Sequence, residues 1–300
     1  MKKYQKIIFR TVSVLLLVIF FLPLLTRCIS FSKSDKDVRK FFKESPVKPA
    51  FKTYLIADTQ IHFAEIGNDT LPTVIFVHGS PGSWDNFIDF LKNDTLLKAA
   101  HLIAVDRPGF GKSDAGNIET ELEQVAYLLS PVLKLNHHKK PPILVGHSMG
   151  GPVIARMAMD FPEQVGGLVF VAGSVDPAQE KKEWFRPPMK FFGSIGFLSD
   201  EIKVSNAELM ALKIELDKML PLWKKINCPV TIIQGDADML VPAANADFAK
   251  KMLVHNPAVK MVWLPKVNHF IPWSHPQVMR DAIVEQIRTL NSGALNVGDK

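Results

Sequence analysis

The stretch that decides the fold runs from residue 141 to residue 151 and is Pro141-Pro142-Ile143-Leu144-Val145-Gly146-His147-Ser148-Met149-Gly150-Gly151. Its first half is an apolar, β-branched run, which predicts a buried strand. The residues beyond Gly151, with a proline in the first turn, predict a helix. A strand-to-helix turn this tight needs glycines on both sides of the serine, because larger side chains do not fit. The pattern therefore predicts that Ser148 is held in a strained backbone conformation with its hydroxyl exposed.

The composition limits the classes of protein to consider. A chain of 300 residues with 47% hydrophobic content is suited to one large α/β domain with an insertion. The two cysteines, Cys28 and Cys228, exclude a disulfide framework and a cysteine-rich metal site. Residues 1–52 contain 12 Lys and Arg against 3 Asp and Glu, whereas the rest of the chain contains 24 against 27. Because the excess positive charge lies beside an apolar run, we expect a membrane partner and no nucleic acid.

The apolar run comprises residues 11–25 and follows four basic residues. Its length and its lack of a polar face fit either a membrane anchor or a signal peptide. We therefore predict that residues 1–28 are one of these, and that the protein is membrane-associated or exported. The residues before Cys28 resemble a bacterial lipoprotein processing site, although Arg27 replaces the expected small residue. Residues 29–52 are charged and contain two prolines, which predicts a basic linker.

Strand-like and helix-like segments alternate through the rest of the chain. This alternation predicts an α/β fold with a mainly parallel eight-stranded sheet flanked by helices. The sheet and its helices are expected in residues 53–174 and again in residues 229–291, with a flexible tail at residues 292–300. Residues 175–228 interrupt the alternation, because they are rich in aromatic side chains and contain no convincing strand. We interpret this interruption as a helical lid, inserted after the sixth strand, that covers a pocket and excludes water.

Candidate functional residues follow the ends of several strands. The glycine-rich loop after the third strand offers the Ser80 N–H as one donor for an oxyanion. Carboxylates at the carboxyl ends of parallel strands lie on the same edge of a sheet, and three are candidates for orienting a histidine: Asp176, Asp236 and Asp238. We interpret the neighbours Asp106 and Arg107 as a local charge pair. Five residues are candidates for lining a pocket, although plain packing is the common role of tryptophan: Gly79, Trp84, His147, Trp184 and Trp273.

Together these motifs resemble the α/β-hydrolase fold superfamily over roughly residues 53–290. The resemblance is carried by His78-Gly79-Ser80-Pro81-Gly82, Asp106-Arg107-Pro108-Gly109-Phe110-Gly111-Lys112-Ser113, Gly146-His147-Ser148-Met149-Gly150-Gly151, Gly235-Asp236-Ala237-Asp238 with Val241-Pro242, and Asn268-His269-Phe270. In the family pattern the acid lies three residues after the glycine of the seventh strand, which selects Asp238 over Asp236. The order Ser, Asp, His along the chain also matches the family.

The resemblance implies a serine hydrolase in which Ser148 attacks an acyl carbonyl and His269, oriented by Asp238, takes its proton. The N–H groups of Met149 and Ser80 would hold the oxyanion. No metal and no cofactor is expected. Serine at the turn argues against the epoxide hydrolases and haloalkane dehalogenases of the superfamily, which use aspartate there. The aromatic lid favours a lipophilic or lipid-like carboxylic ester. The alternatives are cleavage of a carbon–carbon, amide or thioester bond, and a catalytically silent binding module of the same fold.

Overall fold

The computed structural model describes residues 30–292. Eight strands form one sheet, and they are β1 (Ala50–Ile56), β2 (Thr59–Ile66), β3 (Thr73–Val77), β4 (His101–Val105), β5 (Ile143–His147), β6 (Gly167–Val171), β7 (Val230–Gly235) and β8 (Val259–Leu264). Their order across the sheet is β1-β2-β4-β3-β5-β6-β7-β8. The first two pairings, β1 with β2 and β2 with β4, are antiparallel, and all the later ones are parallel. The predicted eight-stranded, mainly parallel sheet is confirmed.

Ten α-helices connect or flank the strands in residues 30–292: α1 (Asp35–Phe41), α2 (Ile88–Leu91), α3 (Asp94–Ala99), α4 (Leu122–Leu129), α5 (Gly150–Asp160), α6 (Arg186–Ser194), α7 (Asp200–Met219), α8 (Ala244–Met252), α9 (Ile271–Ser274) and α10 (Pro276–Ser292). Four 3-10 helices complete the set: Trp84–Phe87, Ser130–Leu135, Pro162–Gln164 and Leu220–Lys225. The sequence predicted neither α3 nor α8, because both are short and lie between stronger strand signals.

The sheet is covered on both faces, and this explains why its central strands are continuous apolar runs. All five residues of β3 are buried. Ile75 and Val77 pack in one cluster with α4, α5 and α8, whereas Val74 and Phe76 pack in a second cluster with α1, α3 and α10. Successive side chains of a strand point to opposite faces, so each β-branched run contributes to both cores.

The strand order reverses next to β3, which lies between β4 and β5 although it precedes both in sequence. The loops that leave the carboxyl ends of β3 and β5 therefore separate and open a crevice at that edge of the sheet. This crevice lies beside the glycine-rich loop after β3 and the serine turn after β5. The topology thus brings together two motifs that are about seventy residues apart in the chain.

Residues 30–52, which the sequence indicated as a linker, pack against the sheet. The side chains of Val38 and Phe42 are buried in the second core cluster. The hydroxyl of Ser83 donates to the carbonyl of Phe31 at 3.3 Å, and the ammonium of Lys92 donates to the carbonyl of Phe41 at 3.2 Å. The basic composition and the prolines of this stretch predicted a linker, because they do not reveal that Val38 and Phe42 are buried.

The predicted anchor or signal segment, residues 1–28, lies outside the described residues, as does the tail from residue 293. Between residues 30 and 292, no helix is both long enough and apolar enough to cross a membrane.

The segment between β6 and β7, residues 172–229, contains α6 and α7 and no strand. We call it the β6–β7 segment. Helix α7 begins at Asp200, where the hydroxyl of Ser199 caps it by accepting from the Ile202 N–H at 3.5 Å. Leu212, Leu216 and Met219 of α7 are buried in the first core cluster. One side of the segment is therefore anchored to the body of the protein.

Candidate active site

The turn between β5 and α5 holds Ser148 in a backbone conformation that residues other than glycine rarely adopt, with φ of +54°. Such strain costs about 1–3 kcal/mol and persists only where the surroundings enforce it. Here the Ser148 N–H donates to the Val171 carbonyl at 2.9 Å. A Cβ on Gly150 would collide with the carbonyl oxygen of Val77, so the turn can pack against β3 only with glycine at this position.

His269 and Asp238 form a hydrogen bond of 2.8 Å between Nδ1 and Oδ2, and both side chains are buried. The second oxygen of Asp238 accepts from the N–H groups of Leu240 at 2.9 Å and Val241 at 2.8 Å. Burial raises the pKa of the Asp238 carboxyl, but the bonds from His269 and from these two N–H groups outweigh it and hold the pKa below its usual value. An ionised Asp238 accepts a hydrogen bond from the Nδ1–H of His269, so Nε2 of His269 is left as an acceptor.

The other two candidate carboxylates have different partners. Asp236 accepts from the Lys266 N–H at 2.6 Å, and Asp176 accepts from the Ala178 N–H at 2.9 Å. Neither bonds to His269 among the contacts of the described residues. Of the three carboxylates at this edge of the sheet, the structure brings Asp238 to the histidine.

A cavity of about 670 Å³ opens above the carboxyl ends of the strands. Its walls include seven of the residues that the sequence predicted: Gly79, Ser80, His147, Ser148, Met149, His269 and Trp273. Ser148 and His269, which are 121 positions apart, therefore line the same cavity.

Two predicted pocket residues lie elsewhere. Trp84 is buried against Phe51, with ring centroids 5.2 Å apart, and its backbone N–H donates to the Asp106 carboxylate at 2.8 Å. Trp184 is 84% exposed and is absent from the cavity wall. Its position in an aromatic run predicted a pocket, but the run continues along the outer surface of α6.

The loop after β3 is fixed by a neutral histidine. The Arg107 N–H donates to Nε2 of His78 at 3.0 Å, so Nδ1 carries the proton and donates to the Gly79 carbonyl at 2.7 Å. Burial holds the pKa of His78 well below its usual value. The loop presents Ser80 to the cavity, and the buried Ser80 hydroxyl has no hydrogen-bond partner among the described residues.

The prediction that Asp106 and Arg107 form a charge pair is wrong. Asp106 accepts from Nδ1 of His62 at 2.8 Å and from two backbone N–H groups. Arg107 turns the other way and forms two bonds to Glu208 of α7, at 2.6 and 3.0 Å. Adjacent residues of an extended chain point in opposite directions, which prevents these two from pairing.

His147 is buried beside the proposed catalytic histidine, with ring centroids 4.8 Å apart. Its Nε2–H donates to the His269 carbonyl at 3.1 Å. Burial, together with the neighbouring His269, lowers the pKa of His147 to about 3. His147 is consequently neutral at physiological pH, and its contact helps to fix the loop that carries His269.

The sequence did not predict the polar wall of the cavity, which comes from the β6–β7 segment: Ser174, Gln179, Glu180, Lys181, Glu183 and Arg186. Ser174 Oγ donates to Glu180 at 2.6 Å, and the Ser174 N–H donates to the Ser148 carbonyl at 3.3 Å. Burial raises the pKa of the Glu180 carboxyl, against the opposing effect of the Ser174 bond. These polar residues lie in a stretch whose only strong local signal is its aromatic content.

No group of three or more His, Cys, Asp or Glu side chains within residues 30–292 is arranged to hold a metal ion. Burial raises the pKa of the Cys228 thiol to about 12.

Comparison with known proteins identifies the class. The profile of the Alpha/beta hydrolase family matches residues 74–282. The chain therefore belongs to the alpha/beta hydrolase family, as its motifs indicated.

The chain is similar to three proteins whose names give different activities. The pimeloyl-[acyl-carrier protein] methyl ester esterase of Wigglesworthia glossinidia brevipalpis is 26% identical over 261 residues, which cover 73% of this chain and 94% of the esterase. The dihydrolipoyllysine-residue acetyltransferase component of the acetoin cleaving system of Cupriavidus necator is 33% identical over 126 residues, or 41% of this chain, and the match spans 33% of that protein. The structure of a proposed lipase from Acinetobacter baumannii AYE superposes with a TM-score of 0.66 at 18% identity, covering 89% of this chain and 99% of the other.

Proposed function

We propose that the chain is a serine hydrolase that cleaves carboxylic esters of lipophilic, lipid-like substrates. One observation supports this proposal above the others. Ser148, held at a strained turn, and His269, hydrogen-bonded to the buried Asp238, line the same cavity. A nucleophile, a base and a group that orients the base are the minimum set for acyl transfer by serine.

In the proposed reaction, Ser148 Oγ attacks the acyl carbonyl carbon and Nε2 of His269 takes the hydroxyl proton. Asp238 stabilises the imidazolium that forms. The bond from the acyl carbon to the alcohol oxygen then breaks, and His269 returns the proton to the leaving alcohol. A water molecule, deprotonated by His269, attacks the acyl-enzyme, and the acid leaves while Ser148 recovers its proton.

The N–H groups of Met149 and Ser80 are the proposed oxyanion donors. Met149 is the residue after the nucleophile and precedes α5, whose N-terminal dipole also favours negative charge. Ser80 belongs to the loop that His78 and Arg107 fix. Loss of one such donor typically lowers the rate about 100- to 1,000-fold.

The cavity wall supports the proposed substrate class. Phe31, Leu209, Met239, Leu240 and Trp273 give it an apolar side. The β6–β7 segment contributes the polar residues of the wall as well as Leu209, in the role that we propose for it as a lid. An amphiphilic ester, with an acyl chain and a polar alcohol, fits a cavity with both kinds of lining. The similarity to a methyl ester esterase also favours ester cleavage.

The apolar run of residues 11–25 supports a further part of the proposal, which is that the protein is attached to a membrane. Attachment by a retained anchor, or by a lipid on Cys28, would keep the enzyme close to lipophilic substrates.

Turnover of p-nitrophenyl esters by the wild type and by Ser148→Ala tests the enzyme proposal, with Ser194→Ala on the exposed surface of α6 as the matched control. We expect hydrolysis by the wild type and the control and almost none by Ser148→Ala. Equal rates for Ser148→Ala and the wild type would exclude Ser148 as the nucleophile. Faster Ser148-dependent cleavage of thioester, amide or carbon–carbon bonds would favour one of these alternative bond types. The absence of cleavage with every substrate would favour a binding module.

A further inference from the structure

The mouth of the cavity is surrounded by exposed apolar side chains. Met239 is 94% exposed, Leu240 66%, Phe270 51% and Trp273 47%, and all four also line the cavity. They follow the carboxyl ends of β7 and β8. A group of large, exposed apolar side chains around one opening indicates a surface that binds a membrane, another protein or an apolar ligand. We call these four residues, together with Phe31, the apolar rim.

Phe31 brings the start of the described chain to this rim. It lines the same cavity, and the Ser83 hydroxyl donates to its carbonyl at 3.3 Å. Two residues later, the N–H of Lys33 donates to the Asp85 carboxylate. Both contacts hold the chain against the loop after β3, so the polypeptide reaches the body of the protein at the cavity mouth.

The distance along the chain from the apolar run to the rim is short. Six residues lead from Leu25, the last residue of the apolar run, to Phe31. Because an extended chain advances at most about 3.6 Å per residue, six residues span at most about 22 Å. If residues 11–25 enter a bilayer, the cavity mouth is thus held close to the surface of that bilayer.

We propose that the apolar rim rests on the surface of an anionic lipid bilayer, so that a lipophilic ester passes from the lipid into the cavity without crossing water. The inference rests on the proposed function, because it assumes the membrane attachment proposed above. Tryptophan and phenylalanine suit the boundary between headgroups and acyl chains. Lys33, two residues after Phe31, and Lys181, in the cavity wall, would face lipid phosphates.

The opposite edge of the sheet provides a matched control. Val254 is 86% exposed and lies in the loop between α8 and the amino end of β8. Since β7 and β8 are parallel, Met239 and Val254 lie at opposite ends of the sheet. Met239 and Val254 are therefore apolar residues of similar exposure that lie on different surfaces of the protein.

The experiment uses the full-length protein in vesicles of equal parts phosphatidylcholine and phosphatidylglycerol, with Met239 or, separately, Val254 replaced by the photo-crosslinker p-benzoylphenylalanine. After irradiation, mass spectrometry identifies what each position has bonded to. We expect phospholipid adducts at position 239 and a loss of this signal to background at position 254. Vesicle sedimentation and hydrolysis of a soluble ester are measured on the same samples.

Four outcomes would overturn the inference. Sedimentation with vesicles but no lipid adduct at position 239 would show attachment without contact of the rim. Equal adducts at positions 239 and 254 would show no preferred orientation. Cross-links from position 239 to a second copy of the chain would assign the rim to a protein interface. Soluble-ester hydrolysis without sedimentation would instead refute the membrane attachment, while the hydrolase proposal would stand.

Discussion

The guanidinium of Arg107 is bonded by both carboxylate oxygens of Glu208, at 2.6 and 3.0 Å, in a pair that is almost fully buried. The same guanidinium donates through Nε to the His78 carbonyl at 3.0 Å and through Nη2 to the Gly79 carbonyl at 2.9 Å. Glu208 belongs to α7, whereas His78 and Gly79 begin the loop that presents Ser80. The pair therefore links the β6–β7 segment to the proposed oxyanion loop.

Glu208→Gln tests this link. Removal of one partner of a buried ion pair costs about 3–5 kcal/mol of stability, and the freed Arg107 no longer fixes the two carbonyls. We expect kcat of the folded enzyme to fall at least about tenfold, with a smaller change in KM, because the oxyanion donor is needed most in the transition state. Urea unfolding and steady-state kinetics measure the two effects.

The control for Glu208→Gln is Asp217→Asn, which removes a carboxylate from an exposed ion pair with Lys213 on the same helix. Exposed pairs contribute at most about 1 kcal/mol, so the control should keep wild-type kinetics. A Glu208→Gln enzyme that loses stability but keeps its kcat would show that the pair has no role in positioning the loop.

A substitution at Asp238 tests its proposed role in orienting His269. Asp238→Asn keeps the shape of the side chain but removes the charge and the acceptor that fix the proton on Nδ1 of His269. By analogy with the corresponding change in other serine triads, we expect kcat to fall by about 10³–10⁴. Asp236→Asn, two residues earlier and bonded to the Lys266 N–H, is the matched control. Similar losses in the two variants would contradict the assignment of Asp238.

Most of the fold and most of the candidate site could be predicted from the sequence, because burial and local sterics restrict which residues occupy certain positions. Runs such as Thr73–Val77 and His101–Val105 are buried on both faces, so their apolar composition alone predicts strands. The glycines around Ser148 are required by local sterics, and a short motif therefore revealed the turn.

Other contacts depend on the tertiary structure. Glu208 resembles the other polar residues of α7, and only its bond to Arg107, 101 positions away, distinguishes it. Phe31 lies in a stretch whose prolines and charges predicted a linker, and its place in the cavity wall follows from bonds to the loop after β3. Trp84 shows the converse, because it closely follows a motif of the site in the sequence, yet its ring packs against Phe51 and does not line the cavity.

His147 gives a prediction about acid stability. Its pKa is about 3 in the folded protein and 6.5 when unperturbed, so the unfolded chain binds a proton that the folded one excludes between those pH values. Folding therefore loses about 1.4 kcal/mol per pH unit from this group as the pH falls below 6.5. In His147→Gln, which retains a donor for the His269 carbonyl, urea unfolding should show a shallower decline. His137→Gln, on an exposed side chain, should keep the wild-type slope, and identical slopes in all three proteins would contradict the prediction.

Two glycine substitutions test the packing of the serine turn. A Cβ on Gly150 would collide with the backbone of Val77, so Gly150→Ala must push α5 away from β3 and should abolish most of the activity. Gly193 lies in α6, where a Cβ meets side chains at ordinary distances of 3.4 Å or more. Gly193→Ala should stabilise the protein by up to about 1 kcal/mol, because alanine is the better helix former. Thermal unfolding and ester turnover of both variants are the measurements, and a fully active Gly150→Ala would contradict the packing argument.

The most direct test of the account is the labelling of the protein by a fluorophosphonate, which bonds covalently to serine hydroxyls activated by a neighbouring base. Peptide mapping of the wild type should place the adduct on Ser148, with labelling slowed strongly in His269→Gln and absent in Ser148→Ala. An unlabelled wild type, or an adduct at another serine that forms equally fast in His269→Gln, would contradict the claim that Ser148, His269 and Asp238 act together.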